Sequence, residues 1–124
     1  MGTVLIVDDI ADYLRSLERA LADSWCVICA STVEDAKNVL LRESVNVALI
    51  DMRLSEDDPA NRDGLLLLEW IREHRPGTPV VMMSAYRDFD SAVDALNAGA
   101  DRFLRKPVDL RELRSVLASA VERV

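Results

Sequence analysis

The chain has 124 residues, of which half are hydrophobic and 30% are charged, and its formal net charge is −7. This length suits one domain with its own hydrophobic core, and the composition argues against intrinsic disorder and against a membrane span. The acidic balance disfavours direct nucleic-acid binding and favours cationic partners or metal ions. The N-terminus lacks the basic start and apolar stretch of a signal peptide, so we expect a cytoplasmic protein.

Five short apolar runs alternate along the chain with segments whose apolar residues recur at helical spacing. The runs are Val4–Val7, Cys26–Ala30, Val45–Ile50, Val80–Met83 and Phe103–Leu104. The first and third are almost wholly apolar, which is typical of central parallel strands covered by helices on both faces. Strict alternation of strand and helix predicts a single doubly wound α/β domain over residues 1–124.

Local signals mark several helix ends. Ser31 followed by Glu34 predicts a capping box at the start of the second helix. Asp109 followed by Glu112 is an analogous acidic start for the last helix. Gly99 is expected to end the helix before it.

The two cysteines and the single histidine could suggest a redox, metal or catalytic site, but each has a structural explanation. Cys26 and Cys29 have the C-x-x-C spacing, yet within a strand they point to opposite faces. We therefore expect two buried, reduced thiols rather than a redox or metal site. The single histidine, His74, lies at a predicted helix end, where an exposed side chain without a catalytic role is expected.

Polar side chains follow four of the five predicted strands. They are Asp8 and Asp9 after the first strand, Asp51 after the third, Ser84 after the fourth and Lys106 after the fifth. Ligands of doubly wound sheets bind beyond the carboxyl ends of the strands. We therefore expect three carboxylates, a hydroxyl and an ammonium group to converge at one edge of the sheet.

This set of groups points to a metal ion and to phosphoryl transfer. Three clustered carboxylates repel one another unless a cation neutralises them, and oxygen ligands suit Mg²⁺ (or Mn²⁺). Lys106 can pair with Asp51 or with a phosphate oxygen. The residues thus suit transfer of a phosphoryl group onto a carboxylate. Each residue alone could be a cap or a turn residue, so the interpretation depends on their joint placement.

Four motifs resemble those of the receiver domains of bacterial response regulators, and the similarity spans essentially the whole chain. The motifs are Val4–Asp9, Val47–Asp51, Val81–Ala85 and Gly99–Pro107. The resemblance implies a flavodoxin-like fold, with a five-stranded parallel sheet of order 2-1-3-4-5 and five flanking helices. It also implies a phosphorylation-dependent signalling switch of a two-component system, with only weak self-phosphorylation and self-dephosphorylation activity.

The resemblance implies roles for the residues around the metal. Asp51 would accept the phosphoryl group from a sensor histidine kinase or a histidine phosphotransfer protein. Asp9 and Asp51 would bind Mg²⁺ directly, and Asp8 would act largely through water. The backbone carbonyl of Arg53 would complete the protein ligands.

The resemblance also implies a switching apparatus. Lys106 would contact the phosphoryl group, and Ser84 would move to hydrogen-bond it. Phe103 matches the aromatic residue that swings inward as that hydroxyl moves. The Lys106–Pro107 peptide bond is expected to be cis, which proline makes accessible. Switching would then be a population shift, because the phosphoryl oxygens are satisfied in only one arrangement of the strand ends.

The sequence departs from the family pattern around the acceptor. The connection at residues 55–62 is longer than usual and carries three consecutive acids, and Ser55 replaces the usual proline. The insertion is either a surface elaboration or an element of partner choice or gating. Arg53 and Tyr86 are large where they flank the site. We hypothesise that they hinder the attacking water and slow self-dephosphorylation, the alternative being that they are solvated and inert.

Other functions remain open at this point. An aspartyl-phosphate phosphatase of the haloacid dehalogenase type would carry Asp-x-Asp after the first strand, whereas Asp8 is followed at once by Asp9. A flavin or nucleotide carrier would need a glycine-rich loop that is absent there. A pseudo-receiver that accepts no phosphate conflicts with the retention of all five key positions.

The output of the domain is not determined by the sequence. Many receivers dimerise or meet an output domain through the fourth helix, fifth strand and fifth helix. Asp101-Arg102-Phe103 and Val116 differ from the residues that winged-helix regulators often carry there, which disfavours their dimer mode.

Overall fold

The computed structural model of the protein describes residues 2–55, 58, 60–85 and 89–122. Five strands and five helices alternate within these ranges. The strands are β1 (Thr3–Val7), β2 (Cys26–Ala30), β3 (Val47–Asp51), β4 (Val80–Ser84) and β5 (Arg102–Arg105). The helices are α1 (Ala11–Leu21), α2 (Val33–Arg42), α3 (Asp63–His74), α4 (Phe89–Asn97) and α5 (Leu110–Glu122). Among the described residues, no helix has both the length and the hydropathy needed to cross a membrane.

The strands form one parallel sheet of order β2-β1-β3-β4-β5, which confirms the expected fold. The chain moves outward from β1 to β2 and then returns to β3 on the other side of β1. The carboxyl ends of β1 and β3 therefore flank the point where the strand order reverses, which is the usual ligand position in such sheets.

Helices cover both faces of the sheet and divide the core into two layers. Val4 and Ile6 of β1 pack with residues of α1 and α5, and we call this cluster the α1/α5 layer. Leu5 and Val7 pack with residues of α2, α3 and α4, which form the α2/α3/α4 layer. Because successive strand residues face opposite sides, a wholly apolar strand fills both layers. This confirms that β1 and β3 are the central strands their sequences predicted.

The helix ends agree with the sequence at two of three positions. Asp109 accepts hydrogen bonds from two backbone N–H groups at the start of α5, including that of Glu112 at 3.1 Å. Gly99 has a φ of +104°, the left-handed conformation that favours glycine after a helix. The capping box at Ser31 was wrong by one residue. The neighbouring hydroxyl of Thr32 caps α2 by accepting from the backbone N–H of Asp35 at 3.1 Å.

The cysteine prediction was also wrong in part. Cys26 is exposed and Cys29 is half-buried, and neither forms a disulfide. The cause is the strand order, because β2 lies at the edge of the sheet and its faces are incompletely covered. Burial, with a smaller contribution from the charge of Glu18, raises the pKa of the Cys29 thiol and keeps it protonated.

His74 is exposed at the last residue of α3, as expected. Its ring stacks on that of Trp70 with centroids 4.4 Å apart. Since α3 runs antiparallel to the strands it connects, this end of the helix lies at the edge of the sheet opposite to the carboxyl ends of the strands.

Candidate functional site

Three polar residues are buried at the carboxyl edge of the sheet. Asp8 directly follows β1, Asp51 ends β3 and Ser84 ends β4, with exposed fractions of 0%, 3% and 1%. In the described part of the chain these are the only polar or charged residues in the buried class. A buried charge is costly unless it is paired or coordinates a metal, so their concentration at one place points to function.

The carboxylates of Asp8, Asp9 and Asp51 form one cluster, with ligand oxygens that all lie within 4.8 Å of one another. The backbone N–H of Ile10 donates to Asp8 Oδ1 at 2.9 Å and helps to fix that carboxylate. Asp9 is half-buried, so one side of the cluster faces solvent. An all-oxygen set with an open side fits Mg²⁺, which prefers oxygen ligands and retains several waters. The cluster can therefore hold the metal ion that the sequence predicted.

Lys106 joins the cluster from the loop after β5. Its Nζ lies 2.9 Å from Asp8 Oδ2 and 3.2 Å from Asp51 Oδ2, and the side chain is 13% exposed. Burial by itself would lower the pKa of Lys106, but the hydrogen bond to Asp8 and the charge of Asp51 outweigh it and raise the pKa. The ammonium group thus stays charged. It offsets part of the negative charge of the two carboxylates that it contacts.

The site residues divide between the two faces of the sheet. Asp51 lies on the same face of β3 as Leu49, which belongs to the α1/α5 layer. Lys106 contacts Asp51 at this face. Ser84 lies on the other face of the sheet, the same face as Met82 of β4 in the α2/α3/α4 layer. Half-buried Phe103 packs against that layer. By the alternation of side chains along the strands, the predicted residues thus form two sets, the acid cluster with Lys106 and Ser84 with Phe103.

Two backbone contacts connect these groups. The N–H of Lys106 donates to the Ser84 carbonyl at 2.7 Å, which fixes the two strand ends against each other. The Lys106–Pro107 peptide bond is cis, as predicted. Met52, which follows the acceptor, donates its N–H to the Met83 carbonyl at 2.9 Å.

Arg53 lies at the rim of the site, two residues after Asp51, and is half-buried. Tyr86 lies outside the described residues, as do positions 56, 57 and 59 of the acidic connection. Asn61 connects the two ends of that connection, because its Oδ1 accepts from the backbone N–H groups of Leu54 at 2.9 Å and Asp63 at 3.0 Å.

Gly64 is a site residue that the sequence analysis missed. Its N–H donates to the Met52 carbonyl at 3.0 Å, and a Cβ at this position would overlap the Asp51 carbonyl oxygen. The first turn of α3 therefore packs directly on the backbone of the acceptor. The sequence offered one signal for this contact, a glycine in the first turn of an apolar helix. Glycine destabilises a helix, so its presence there can indicate the close approach of another backbone segment.

Tyr13 of α1 is a second site residue that the sequence analysis did not identify. Its hydroxyl accepts a hydrogen bond from the backbone N–H of Val108 at 3.1 Å. Its ring centroid lies 4.7 Å from Lys106 Nζ. No local pattern could reveal these contacts, because α1 and the loop after β5 are distant in sequence.

The response regulator receiver domain family matches this chain over residues 4–118. The chain belongs to this family. Receiver domains are the phosphorylation switches of two-component signalling, and membership favours this function over a haloacid dehalogenase phosphatase or a flavin carrier.

Curated relatives of this receiver domain are longer proteins. It is 42% identical over 118 residues to the response regulator protein PilR of Pseudomonas aeruginosa, covering 94% of this chain and 25% of PilR. It is 36% identical over 120 residues to the DNA-binding transcriptional regulator NtrC of Escherichia coli, covering 97% of this chain and 25% of NtrC. The receiver domain therefore spans about a quarter of the length of these relatives.

A solved structure supports the same assignment. A CheY-like response regulator receiver domain protein from Methanospirillum hungatei superposes with a TM-score of 0.88 at 31% sequence identity. The match covers 99% of this receiver domain and 95% of that chain.

Proposed function

We propose that Asp51 accepts a phosphoryl group from a histidine kinase or a histidine phosphotransfer protein, and that the modified domain shifts to a state that controls an output. The observation that carries this proposal is the position of the Asp51 carboxylate. It is buried at the reversal point of the sheet, beside two further carboxylates and 3.2 Å from the Lys106 ammonium. Of the three acids, Asp51 alone ends a strand.

The transfer forms one bond and breaks one bond. A carboxylate oxygen of Asp51 attacks phosphorus, and the bond between phosphorus and the imidazole nitrogen of the donor breaks. The imidazole keeps the electron pair and takes a proton. Asp9, Asp51 and the backbone carbonyl of Arg53, with Asp8 through water, would hold Mg²⁺ (or Mn²⁺). When bound, the ion neutralises charge on the phosphoryl oxygens.

Lys106 is already placed to follow the reaction. Its ammonium group donates hydrogen bonds to both Asp8 and Asp51. When the Asp51 oxygen becomes part of an acyl phosphate, Lys106 can transfer one bond to a phosphoryl oxygen and retain the bond to Asp8. Such preorganised charge stabilises the transferring group without moving the backbone.

Ser84 and Phe103 carry the signal across the sheet in this proposal. The Ser84 hydroxyl moves toward the phosphoryl group, and Phe103 moves into the α2/α3/α4 layer that the hydroxyl leaves. The backbone bond from Lys106 to the Ser84 carbonyl supports coupled movement of the β4 and β5 ends. Phosphorylation then favours one of two arrangements, and a partner that prefers this arrangement binds more tightly.

The proposed output acts through α4, β5 and α5. Val93, Leu96 and Leu110 are exposed apolar residues on α4 and α5, which suits contact with a second receiver or an output domain. The likeness to NtrC, a DNA-binding transcriptional regulator, supports a transcriptional output domain. Nucleic-acid contacts would belong to that domain, because the net charge of the receiver is −7.

The domain does not act as an enzyme on external substrates in this proposal. Its catalytic participation is limited to its own phosphorylation and hydrolysis, with Arg53 and Tyr86 setting the lifetime of the phosphate. A pseudo-receiver is the alternative, and phosphorylation distinguishes the two.

Phosphorylation by a small donor tests the proposal. The chain is incubated with acetyl phosphate and Mg²⁺, and its intact mass is compared with that of Asp51→Asn. We expect the wild type to gain one phosphoryl group only when Mg²⁺ is present, and Asp51→Asn to gain none. A wild type that gains no phosphoryl group and binds no beryllofluoride would contradict the proposal.

A further inference from the structure

Tyr13 contacts both the side chain of Lys106 and the backbone next to it. The centroid of its ring is 4.7 Å from Lys106 Nζ, and its hydroxyl accepts from the Val108 N–H at 3.1 Å. The two contacts lie at opposite ends of the three-residue segment Lys106-Pro107-Val108. The proposed transfer of the phosphoryl group uses neither contact.

The ring supplies an interaction that the carboxylates cannot. Asp8 and Asp51 attract the ammonium toward the acid cluster, while the ring lies against the same ammonium as an uncharged neighbour. The attraction between a cation and an aromatic face strengthens when solvent is excluded, and the Lys106 side chain is only 13% exposed. The ring therefore adds an attraction for the ammonium that does not come from Asp51.

The hydroxyl restricts the backbone of the same segment. Burial raises the pKa of Tyr13, although the Val108 hydrogen bond and the charge of Lys106 oppose the increase. The hydroxyl is thus neutral at physiological pH. As the acceptor for Val108, it fixes the start of the loop before α5 to α1, and the chain that carries Lys106 is held at both ends.

We propose that Tyr13 is a positioning residue that holds Lys106 at the phosphoryl site, before and after Asp51 is modified. The inference rests on the proposed function and extends it to α1. When Asp51 becomes an acyl phosphate, Lys106 loses a carboxylate partner, and Tyr13 keeps the ammonium within reach of the new phosphoryl oxygens. Both the rate of phosphorylation and the affinity for beryllofluoride then depend on Tyr13 through Lys106.

The surroundings of Tyr13 allow the test. One side of its ring borders an open pocket of about 460 Å³, which Ile10, Ser16 and Pro107 also line. A smaller side chain at position 13 therefore enlarges this solvent-exposed pocket, and it also removes contacts of Tyr13 with the α1/α5 layer. Tyr13→Leu removes both contacts, and Tyr13→Phe removes only the hydroxyl. Ser16→Ala is a matched control on the same helix and the same pocket.

The experiment is a double-mutant cycle between Tyr13 and Lys106. Phosphorylation by acetyl phosphate and the affinity for beryllofluoride are measured with Mg²⁺ in the wild type, Tyr13→Leu, Lys106→Ala and the double variant. We expect Tyr13→Leu to reduce both quantities about tenfold, as loss of a shielded cation–π contact implies. In the Lys106→Ala background the same change should have no effect, because the residue it positions is absent. Ser16→Ala should match the wild type.

Tyr13→Phe keeps the inference testable if Tyr13→Leu does not fold. Loss of one hydrogen bond with the ring retained should reduce both quantities about threefold, and again only when Lys106 is present. Equal reductions with and without Lys106 would show a merely structural role and overturn the inference, as would a wild-type rate in both Tyr13 variants. These results leave Asp51 as the acceptor, whereas a wild type that is never phosphorylated overturns the proposed function and this inference together.

Discussion

Gly64 and Asp51 are in backbone contact so close that the α3 residue has no room for a side chain. A Cβ at position 64 would overlap the Asp51 carbonyl oxygen and lie 2.7 Å from Met52 Cα. These neighbours are backbone atoms of the acceptor and of the residue after it, so they cannot yield as a flexible side chain does. The position of the acceptor is thus coupled to the packing of α3.

Gly64→Ala should therefore lower the free energy of unfolding by about 1–3 kcal/mol, the usual cost of overpacking. It should also slow phosphorylation by acetyl phosphate, because the end of β3 must shift. Gly77→Ala is the control, since a Cβ there meets nothing within 4 Å. Urea denaturation and the phosphorylation rate check both effects. A Gly64→Ala variant as stable and as reactive as Gly77→Ala would contradict the close contact.

Removal of one carboxylate from the acid cluster should stabilise the metal-free protein and weaken its stabilisation by Mg²⁺. Without Mg²⁺, Asp9→Asn should raise the free energy of unfolding by about 1 kcal/mol, because it relieves repulsion within the acid cluster. Mg²⁺ at about ten times its dissociation constant should then stabilise the wild type by about 1.4 kcal/mol and Asp9→Asn much less. The control is Asp12→Asn, which removes an exposed acid of α1 outside the cluster. Thermal unfolding with EDTA and with Mg²⁺ measures both effects, and equal metal responses in the three proteins would exclude the predicted site.

The raised pKa of Cys29 predicts a loss of stability in alkaline solution. In the unfolded chain the thiol ionises near its ordinary pKa of 9.0, before the buried thiol of the folded protein does. The contribution of Cys29 is therefore complete below pH 9.0 and is lost as the pH rises through the higher pKa of the folded protein. Cys29→Ala should lose less stability than the wild type between about pH 7 and about pH 10. The free energy of unfolding is measured by denaturation at each pH in the presence of a reductant. Cys26→Ala retains Cys29 and should follow the wild type. An identical pH dependence in the wild type and both variants would refute the raised pKa.

The lifetime of the phosphate tests the hypothesis about Arg53 and Tyr86. If these side chains hinder the attacking water, the double variant Arg53→Asn, Tyr86→Ala should release phosphate about tenfold faster. This rate increase corresponds to an activation barrier lowered by about 1.4 kcal/mol. Arg102→Asn removes an exposed arginine at the opposite end of β5 and serves as the control. Phosphate release after removal of acetyl phosphate is the measurement. Equal rates in the double variant and the wild type would reject the hypothesis.

Sequence patterns predicted those features that depend on local order along the chain. Asp8, Asp51, Ser84 and Lys106 could be placed because parallel strands bring all their carboxyl ends to one edge of the sheet. The alternation of strand and helix required this arrangement without knowledge of any distance. Convergence of the acids followed from the fold class.

Features that depend on contacts between distant elements were missed. The contact of Gly64 with Asp51 requires the distance between α3 and β3, and that of Tyr13 with Val108 requires the approach of α1 to the last loop. The exposure of Cys26 follows from the edge position of β2, which an apolar run does not reveal. Thr32 replaced Ser31 as the cap because adjacent hydroxyl residues offer the helix two possible starts.

The most direct test of Asp51 as the phosphoryl acceptor is chemical mapping of the phosphorylated residue. The chain is treated with acetyl phosphate and Mg²⁺ and reduced with borohydride, which converts an acyl phosphate of aspartate to homoserine. Peptide mass spectrometry then locates the modified residue. We expect homoserine at position 51 and aspartate at positions 8 and 9. Homoserine at position 8 or 9, or phosphorylation with Asp51 unmodified, would contradict it.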